Sequence, residues 1–122
     1  MTQNNVTIAQ TFYAAFGEKN VGAMKKYLHP DIQLITPFSK LQGKEAYLEA
    51  AENFMAFFNT LTIRATFGEG DQAVVVYDLD CPGSIGKVPA AALMTFQEGL
   101  ITRNELFHDT SPWNKIKDEL LA

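Results

Sequence analysis

The stretch TLTIRATFGEGDQAVVVYDLDC, residues 60–81, decides the fold, because its apolar side chains recur at every second position. Alternate residues of a strand lie on one face, so this spacing predicts two strands, over residues 60–67 and 72–81. The residues between them, Gly68-Glu69-Gly70-Asp71, are typical of a hairpin turn. The two strands are therefore expected to pair in antiparallel orientation.

The alternating pattern continues toward the C-terminus. A loop rich in proline and glycine leads into a predicted strand over residues 87–97, and the turn Glu98-Gly99 leads into a last strand over residues 100–109. Ser111 followed by Pro112 is a helix-start signal, which predicts a short C-terminal helix. The second half of the chain is thus predicted to be an antiparallel meander that ends in a helix.

Toward the N-terminus the apolar period becomes that of a helix. The spacing predicts a helix over residues 6–16, a short helix over residues 21–28 that ends before Pro30, and a third helix from Gly43 to about residue 59. A strand over residues 31–38 separates the second helix from the third. Helices followed by a meander predict one α+β domain over residues 1–122, with three N-terminal helices packed on one face of the sheet.

Charge and composition exclude several classes of protein. Ten Lys and Arg against 14 Asp and Glu give a net charge of −4 without a basic cluster, which argues against nucleic-acid binding. Cys81 is the only cysteine and is expected to be a buried thiol, which fits a reducing compartment. The sequence shows neither a leader pattern nor a membrane span, so a cytoplasmic protein is predicted. The two histidines lack ligand spacing, so no metal or cofactor is expected.

The outer face of the predicted sheet is unusually apolar. An antiparallel sheet with one face in water normally carries polar residues there. The residues expected on this face are Val74, Val76, Ala91, Leu93 and Thr95. This composition predicts that the face is buried in a homodimer.

Three segments carry a resemblance to a known family. They are TFYAAFGEKNVGAMKKYLHPDI (residues 11–32), GKEAYLEAAENF (43–54) and ITRNELFHD (101–109). Their order and spacing resemble the nuclear transport factor 2-like superfamily, and within it the SnoaL-like bacterial branch, over about residues 6–113. The resemblance implies a cystatin-like cone, in which a curved sheet wraps the long helix around a pocket. It also implies a dimer through the convex face of the sheet.

Members of this superfamily differ in activity, so each known arrangement of site residues is compared with the chain. A ketosteroid isomerase resemblance would require a Tyr and two Asp where this chain has Phe12, Thr36 and Ala92, so that activity is rejected. An epoxide hydrolase resemblance would require an Asp-Arg-Asp set; Arg103 and Glu105 have suitable spacing but are expected to face outward. A polyketide cyclase resemblance requires one base near the end of the last strand, where His108 and Asp109 occur.

These considerations predict an apolar cavity that holds a small, largely apolar ligand. The predicted ligand-binding residues are Phe12, Phe16, Thr36, Tyr47, Phe54, Phe58, Tyr77, Met94, Phe96 and Asn104. His108 or Asp109 would act as the base in a proton transfer of isomerase or cyclase type. The alternative hypothesis is a dimerisation or interaction module without chemistry, whose cavity is filled by its own side chains.

Overall fold

A computed structural model describes residues 4–111 and shows an α+β fold. The helices are α1 (Asn5–Gly17), α2 (Val21–Lys25) and α3 (Lys44–Met55). The strands are β1 (Leu28–Ile35), β2 (Lys40–Gln42), β3 (Thr60–Glu69), β4 (Gln72–Cys81), β5 (Gly86–Gln97) and β6 (Leu100–His108). The predicted C-terminal helix that starts at Ser111 lies outside the described residues.

The sheet has six strands in the order β2-β1-β6-β5-β4-β3. The strands β3 to β6 form the predicted antiparallel meander, and the bounds of β4 and the turn at Glu98-Gly99 are as predicted. The expectation of an antiparallel sheet does not hold for β1, which pairs with β6 in parallel. This pairing joins distant parts of the chain, which local periodicity does not reveal.

The boundary between α2 and β1 differs from the prediction. Helix α2 ends at Lys25, and Leu28 already belongs to β1, where it pairs with Ile101. The carbonyl of Tyr27 accepts a hydrogen bond of 2.7 Å from the Ile101 amide. Leu28 continues the helical apolar period of the sequence, but its pairing with β6 makes it part of the sheet. The short strand β2, which was not predicted, pairs with Gln33–Ile35 of β1.

The helices lie on the concave face of the sheet and form one core with it. Helix α1 begins at an Asn4 cap, whose side chain accepts a hydrogen bond of 2.8 Å from the Val6 amide. Register shifts interrupt β3 between Ile63 and Ala65 and β5 at Thr95/Phe96, and bulges of this kind bend a sheet. The sheet can therefore curve around the helices.

The convex face has no helix upon it among the described residues. Phe67 and Phe107 lie on this face with 63% and 49% of their surface exposed. In the part of the chain that the structure describes, no helix is long and apolar enough to cross a membrane.

Candidate ligand cavity

A cavity of about 620 Å³ lies between the concave face of the sheet and the helices α1 and α3. Its buried walls are mostly aromatic, whereas Glu49 and Asn53 of α3 line it from exposed positions. The exposed residues mark the mouth of the cavity and the buried ones mark its base. Seven of the predicted site residues line it: Phe12, Phe16, Thr36, Tyr47, Phe54, Tyr77 and His108.

Hydrogen bonds between side chains of α1, α3 and β6 organise the base of the cavity. The amide nitrogen of Asn104 donates to the Tyr13 hydroxyl at 2.9 Å and to the Tyr47 hydroxyl at 2.8 Å. Asn104 has no exposed surface and does not line the cavity itself. The predicted contact between Asn104 and a ligand is thus replaced by an indirect arrangement, in which two tyrosines lie between the amide and the cavity.

The three cavity tyrosines are neutral hydrogen-bonding groups over the ordinary pH range. Burial, which disfavours the phenolate, raises the pKa of Tyr13, Tyr47 and Tyr77 well above the usual value for tyrosine. The rings of Tyr13 and Tyr77 lie 4.9 Å apart, so the negative charge of a Tyr77 phenolate would also raise the pKa of Tyr13. Each hydroxyl therefore keeps its proton and can donate it.

Aromatic side chains of α1 and α3 form the wall next to this base. The ring of Phe12 meets those of Tyr13 and Tyr47 edge-on, at centroid distances of 5.6 and 6.0 Å. Phe16 stacks on Phe54 at 6.4 Å. Edge-on and stacked rings fix one another's orientation, so this wall is preformed.

Three predicted ligand contacts lie in the core instead of the cavity lining. Phe58, Met94 and Phe96 are buried and do not line the cavity. The ring of Phe58 packs 5.3 Å from that of Phe16, on the side away from the cavity space. Alternation assigned Met94 and Phe96 to the correct inner face of β5, but this face extends below the cavity. Phe58 was predicted on the third helix, whereas α3 ends at Met55 and Phe58 lies in the segment that follows it.

Thr36 lines the cavity where β1 ends, and its hydroxyl is engaged in the adjoining turn. The hydroxyl oxygen accepts hydrogen bonds from the amides of Phe38 and Ser39, at 3.1 and 3.0 Å. Thr36 thereby fixes the turn that leads into β2. Because this turn carries Phe38 and Ser39, both of which line the cavity, Thr36 shapes the rim.

The two predicted catalytic residues occupy different surroundings. His108 lines the cavity, and its ring lies 6.0 Å from that of Phe38. Asp109 is exposed and outside the lining; its carboxylate accepts a hydrogen bond of 3.0 Å from the Ser111 amide, which lowers its pKa. The imidazole Nδ1 lies 3.0 Å from the Asp109 carbonyl oxygen rather than from its carboxylate. The structure thus brings only His108 to the cavity.

Three of the residues compared above with the ketosteroid isomerase and epoxide hydrolase sites, Ala92, Arg103 and Glu105, lie outside the cavity lining. Ala92 is buried and offers no functional group. Arg103 and Glu105 lie on the outer side of β6, where they form an ion pair of 3.4 Å with each other. Within residues 4–111, no group of three or more His, Cys, Asp or Glu side chains is placed to hold a metal ion.

Several lining residues were not predicted. The main ones are Phe38, Ser39, Glu49, Asn53 and Leu106. Glu49 and Asn53 are four residues apart on α3, so they lie on one side of that helix. This spacing could have identified them as neighbouring residues of the cavity lining. Tyr13 lies about 100° from Phe12 around the helix axis, and it reaches the cavity because the inner surface of α1 is wider than one stripe.

A sheet wrapped around helices that enclose an apolar cavity is the architecture of the nuclear transport factor 2-like fold. The family comparison agrees with this architecture, because residues 9–104 match the SnoaL-like domain. The chain belongs to the SnoaL-like domain family. No curated protein sequence matches it significantly.

Solved structures share this fold at low sequence identity. An NTF2-like protein of unknown function from Cytophaga hutchinsonii is 23% identical with a TM-score of 0.80, over 93% of this chain and 96% of that one. A protein from Jannaschia sp. CCS1, assigned to the SnoaL-like polyketide cyclases, is 16% identical with a TM-score of 0.76, over 86% and 85%. A de novo designed protein with a curved β-sheet is 17% identical with a TM-score of 0.84, over 99% and 98%.

Proposed function

We propose that the cavity binds a small, largely apolar molecule. The observation that carries this proposal is a volume of about 620 Å³ enclosed mainly by aromatic side chains, with a few polar groups at the base and the mouth. Ligand sites of roughly 300–1,000 Å³ with this composition are the rule for small organic compounds. The wall of interlocked rings keeps the space open, since their packing against one another leaves none of them free to fill it.

A cavity-blocking variant tests this proposal. Ala50 lines the cavity from α3, so Ala50→Trp should fill it, whereas Ala56→Trp adds the same ring at an exposed position outside the lining. A set of apolar ring compounds is screened by thermal shift on the three proteins. We expect compounds that raise the melting temperature of wild type and Ala56→Trp but not of Ala50→Trp. A set that stabilises none of the proteins, or all three equally, would contradict the proposal.

A second candidate function is proton transfer on the bound molecule, with His108 as the base. The observation in its favour is that the imidazole lines the cavity, while the tyrosine hydroxyls occupy its base. Imidazole is the side chain best suited to moving a proton near neutral pH, and a positioned base contributes on the order of 10²–10⁴ in rate. Proton removal beside a carbonyl group requires a base at the neighbouring carbon and a hydrogen-bond donor at the oxygen, and the cavity lining contains both kinds of group.

Deuterium exchange tests the role of His108. The α-protons of 1-tetralone, a bicyclic ketone, are followed by NMR in D₂O with wild type, His108→Gln and Asp109→Asn. We expect His108→Gln to lose at least about 100-fold of the catalysed exchange, and Asp109→Asn to stay within twofold because its carboxylate lies outside the cavity. If wild type does not accelerate the exchange, proton transfer by His108 is contradicted, whereas the proposed ligand binding is not affected.

We also propose that the convex face forms a homodimer. Cross-strand pairs of this face are apolar: Val74 pairs with Leu93, and Ala91 pairs with the exposed Phe107. The charges nearby are already paired within the chain, as Arg103 with Glu105. An apolar face with internally neutralised charges suits a second copy related by a two-fold axis, because the same patch then meets itself.

The oligomeric state tests the dimer and the alternative interaction-module function together. Leu93→Glu buries a charge in the proposed interface, whereas Asn59→Glu adds the same charge at an exposed position outside it. Sedimentation at micromolar concentration should give a dimer for wild type and Asn59→Glu and a monomer for Leu93→Glu. A monomeric wild type would refute the dimer. A dimer whose cavity accepts no compound would favour the module without chemistry.

A further inference from the structure

The buried Asn104 amide is only half satisfied. Its nitrogen donates to the hydroxyls of Tyr13 and Tyr47, whereas its carbonyl oxygen Oδ1 has no hydrogen-bond partner among the described residues. Asn104 is completely buried, so solvent does not provide the missing donor. An unpaired buried carbonyl costs free energy, so this arrangement persists only where the rest of the structure enforces it.

The direction of these two hydrogen bonds follows from a comparison of the two amide orientations. As observed, one carbonyl oxygen remains unpaired. With the amide turned over, Oδ1 would accept from both tyrosines and the nitrogen would leave two buried N–H groups unpaired. Orphaned buried N–H groups are rarer in proteins than under-satisfied carbonyls. The amide therefore donates, and both tyrosine oxygens accept.

Because the tyrosine oxygens accept from Asn104, their own protons must be placed elsewhere. Tyr13 lies against Tyr77, and one hydroxyl proton of this pair is shared between the two side chains. The Tyr47 hydroxyl makes no hydrogen bond other than the one from Asn104 within the described part of the chain. Tyr47 lines the cavity, so its O–H group is available to an acceptor that enters there.

We propose that the base of the cavity is a hydrogen-bond donor site for an oxygen atom of the ligand, formed by the Tyr47 hydroxyl together with the Tyr13–Tyr77 pair and oriented by Asn104. The ligand class is an apolar ring compound with a neutral carbonyl oxygen at its buried end. This inference rests on the proposed binding function. Asn104 acts here as a positioning residue, since it touches the tyrosines and not the ligand.

The charges around the cavity select a neutral oxygen over a carboxylate. Within residues 4–111, no Lys or Arg lines the cavity, and the acidic residue that does so is Glu49 at the mouth. A buried carboxylate without a cationic partner carries a large desolvation cost. A ketone oxygen has no such cost, and two hydroxyl donors meet its hydrogen-bonding capacity.

A matched pair of probes tests the donor site. The probes are 1-tetralone and tetralin, which have the same ring system with and without the carbonyl group. Affinity is measured by calorimetry or thermal shift, and the carbonyl stretch of bound 1-tetralone is measured by infrared difference spectroscopy. Wild type should bind 1-tetralone more tightly than tetralin by roughly three- to tenfold and shift the stretch to lower frequency.

Two variants separate the donors from their positioning residue. Tyr47→Phe removes one O–H group and should abolish most of the preference and of the spectral shift. Asn104→Asp keeps the shape but replaces the two N–H donors with a carboxyl group. Its oxygen accepts from at least one tyrosine, which turns that hydroxyl proton away from the cavity. This variant should lose much of the preference although both hydroxyls remain. Tyr27→Phe removes the hydroxyl of a tyrosine outside the cavity lining and should retain both effects.

The possible outcomes are distinct. Equal affinity for the two probes in wild type, or a carbonyl shift that survives Tyr47→Phe, overturns the donor site while cavity binding stands. If neither probe binds wild type and the wider compound set also fails, the binding function is overturned and the donor site with it. If Asn104→Asp does not fold, Tyr47→Phe still decides the proposal, because it leaves the bond between Asn104 and Tyr13 intact.

Discussion

Two phenylalanines illustrate how position decides the energetic value of one side chain. Phe58 is 1% exposed between Phe16 and Phe54, and Phe67 is 63% exposed on the convex face. Burial of a phenylalanine contributes through removal from water and through close packing. The buried Phe58 therefore stabilises the fold, whereas the exposed Phe67 contributes little to stability and is available for another role.

Truncation of these residues should separate the two roles. We expect Phe58→Ala to lower the free energy of unfolding by about 3–5 kcal/mol, because it leaves a cavity in the core. Phe67→Ala should change it by no more than about 0.5 kcal/mol at concentrations where the protein is monomeric. Urea unfolding monitored by circular dichroism measures both. A small loss for Phe58→Ala would show that the core closes around the vacancy.

For single residues, the sequence predicts the face of the sheet on which a side chain lies, but not whether that side chain reaches the cavity. Alternation along β6 places Asn104 and His108 on the inner face, and the structure agrees for both. Only His108 reaches the cavity, because Tyr13 and Tyr47 from the two helices cover Asn104. The lengths of side chains on other elements determine this covering, and the period of one strand holds no information about them.

At the scale of elements, Gly68 allows α1 to lie close to β3. A Cβ atom built at Gly68 would overlap Cγ2 of Val6 and lie 2.9 Å from the Gln72 carbonyl oxygen. The first neighbour is a side chain of α1 and the second is backbone of β4. A glycine in the interior of a strand often marks such a close approach of another element.

Substitution of this glycine should push α1 away from the sheet. We expect Gly68→Ala to destabilise the fold by about 1–3 kcal/mol through overpacking. Val6→Ala removes one of the two overlapping partners, so the double variant should be less destabilised than the sum of the single variants. Unfolding free energies of the four proteins in the cycle give this coupling. Additive effects would show that the contact with Gln72, and not α1, limits the space.

The elements whose partners are adjacent in sequence were predicted well, and those with distant partners were not. Strands β3 to β6 follow one another through short turns, so period and turn residues define them. Strand β1 instead pairs with β6 in parallel, and Leu28 leaves the helical pattern to join it. A residue that suits either a helix or a strand is assigned by long-range pairing, which overrides local propensity.

At the scale of the whole molecule, the two faces of the sheet have separate roles. The concave face holds the helices and the cavity, and the convex face carries the exposed phenylalanines. One fold of this kind hosts many unrelated functions, so the architecture alone implies no activity. Proton transfer and recognition of a ligand oxygen would depend on the polar groups that interrupt the cavity wall. Burial raises the pKa of three of these groups, Tyr13, Tyr47 and Tyr77.

Stability should decrease at alkaline pH because the fold holds several acidic groups in their neutral form. Burial raises the pKa of Tyr13, Tyr47 and Tyr77 above their unfolded value near 10, and it raises the pKa of the Cys81 thiol to about 11. Above the unfolded pKa the unfolded chain binds fewer protons than the folded one, so the free energy of unfolding falls as pH rises. The loss begins near pH 9 and steepens above pH 10.

Each buried tyrosine should contribute a slope of about 1.4 kcal/mol per pH unit in this range, since that is the cost of one proton of difference. Urea unfolding between pH 7 and 11 measures the slope for wild type and for Tyr77→Phe. The variant should show a shallower decline above pH 10, whatever its stability at pH 7, because one titrating group is gone while its surroundings stay apolar. A stability that is flat up to pH 11, or a slope that Tyr77→Phe leaves unchanged, would mean that these hydroxyls ionise freely in the folded protein and that the base of the cavity is open to water.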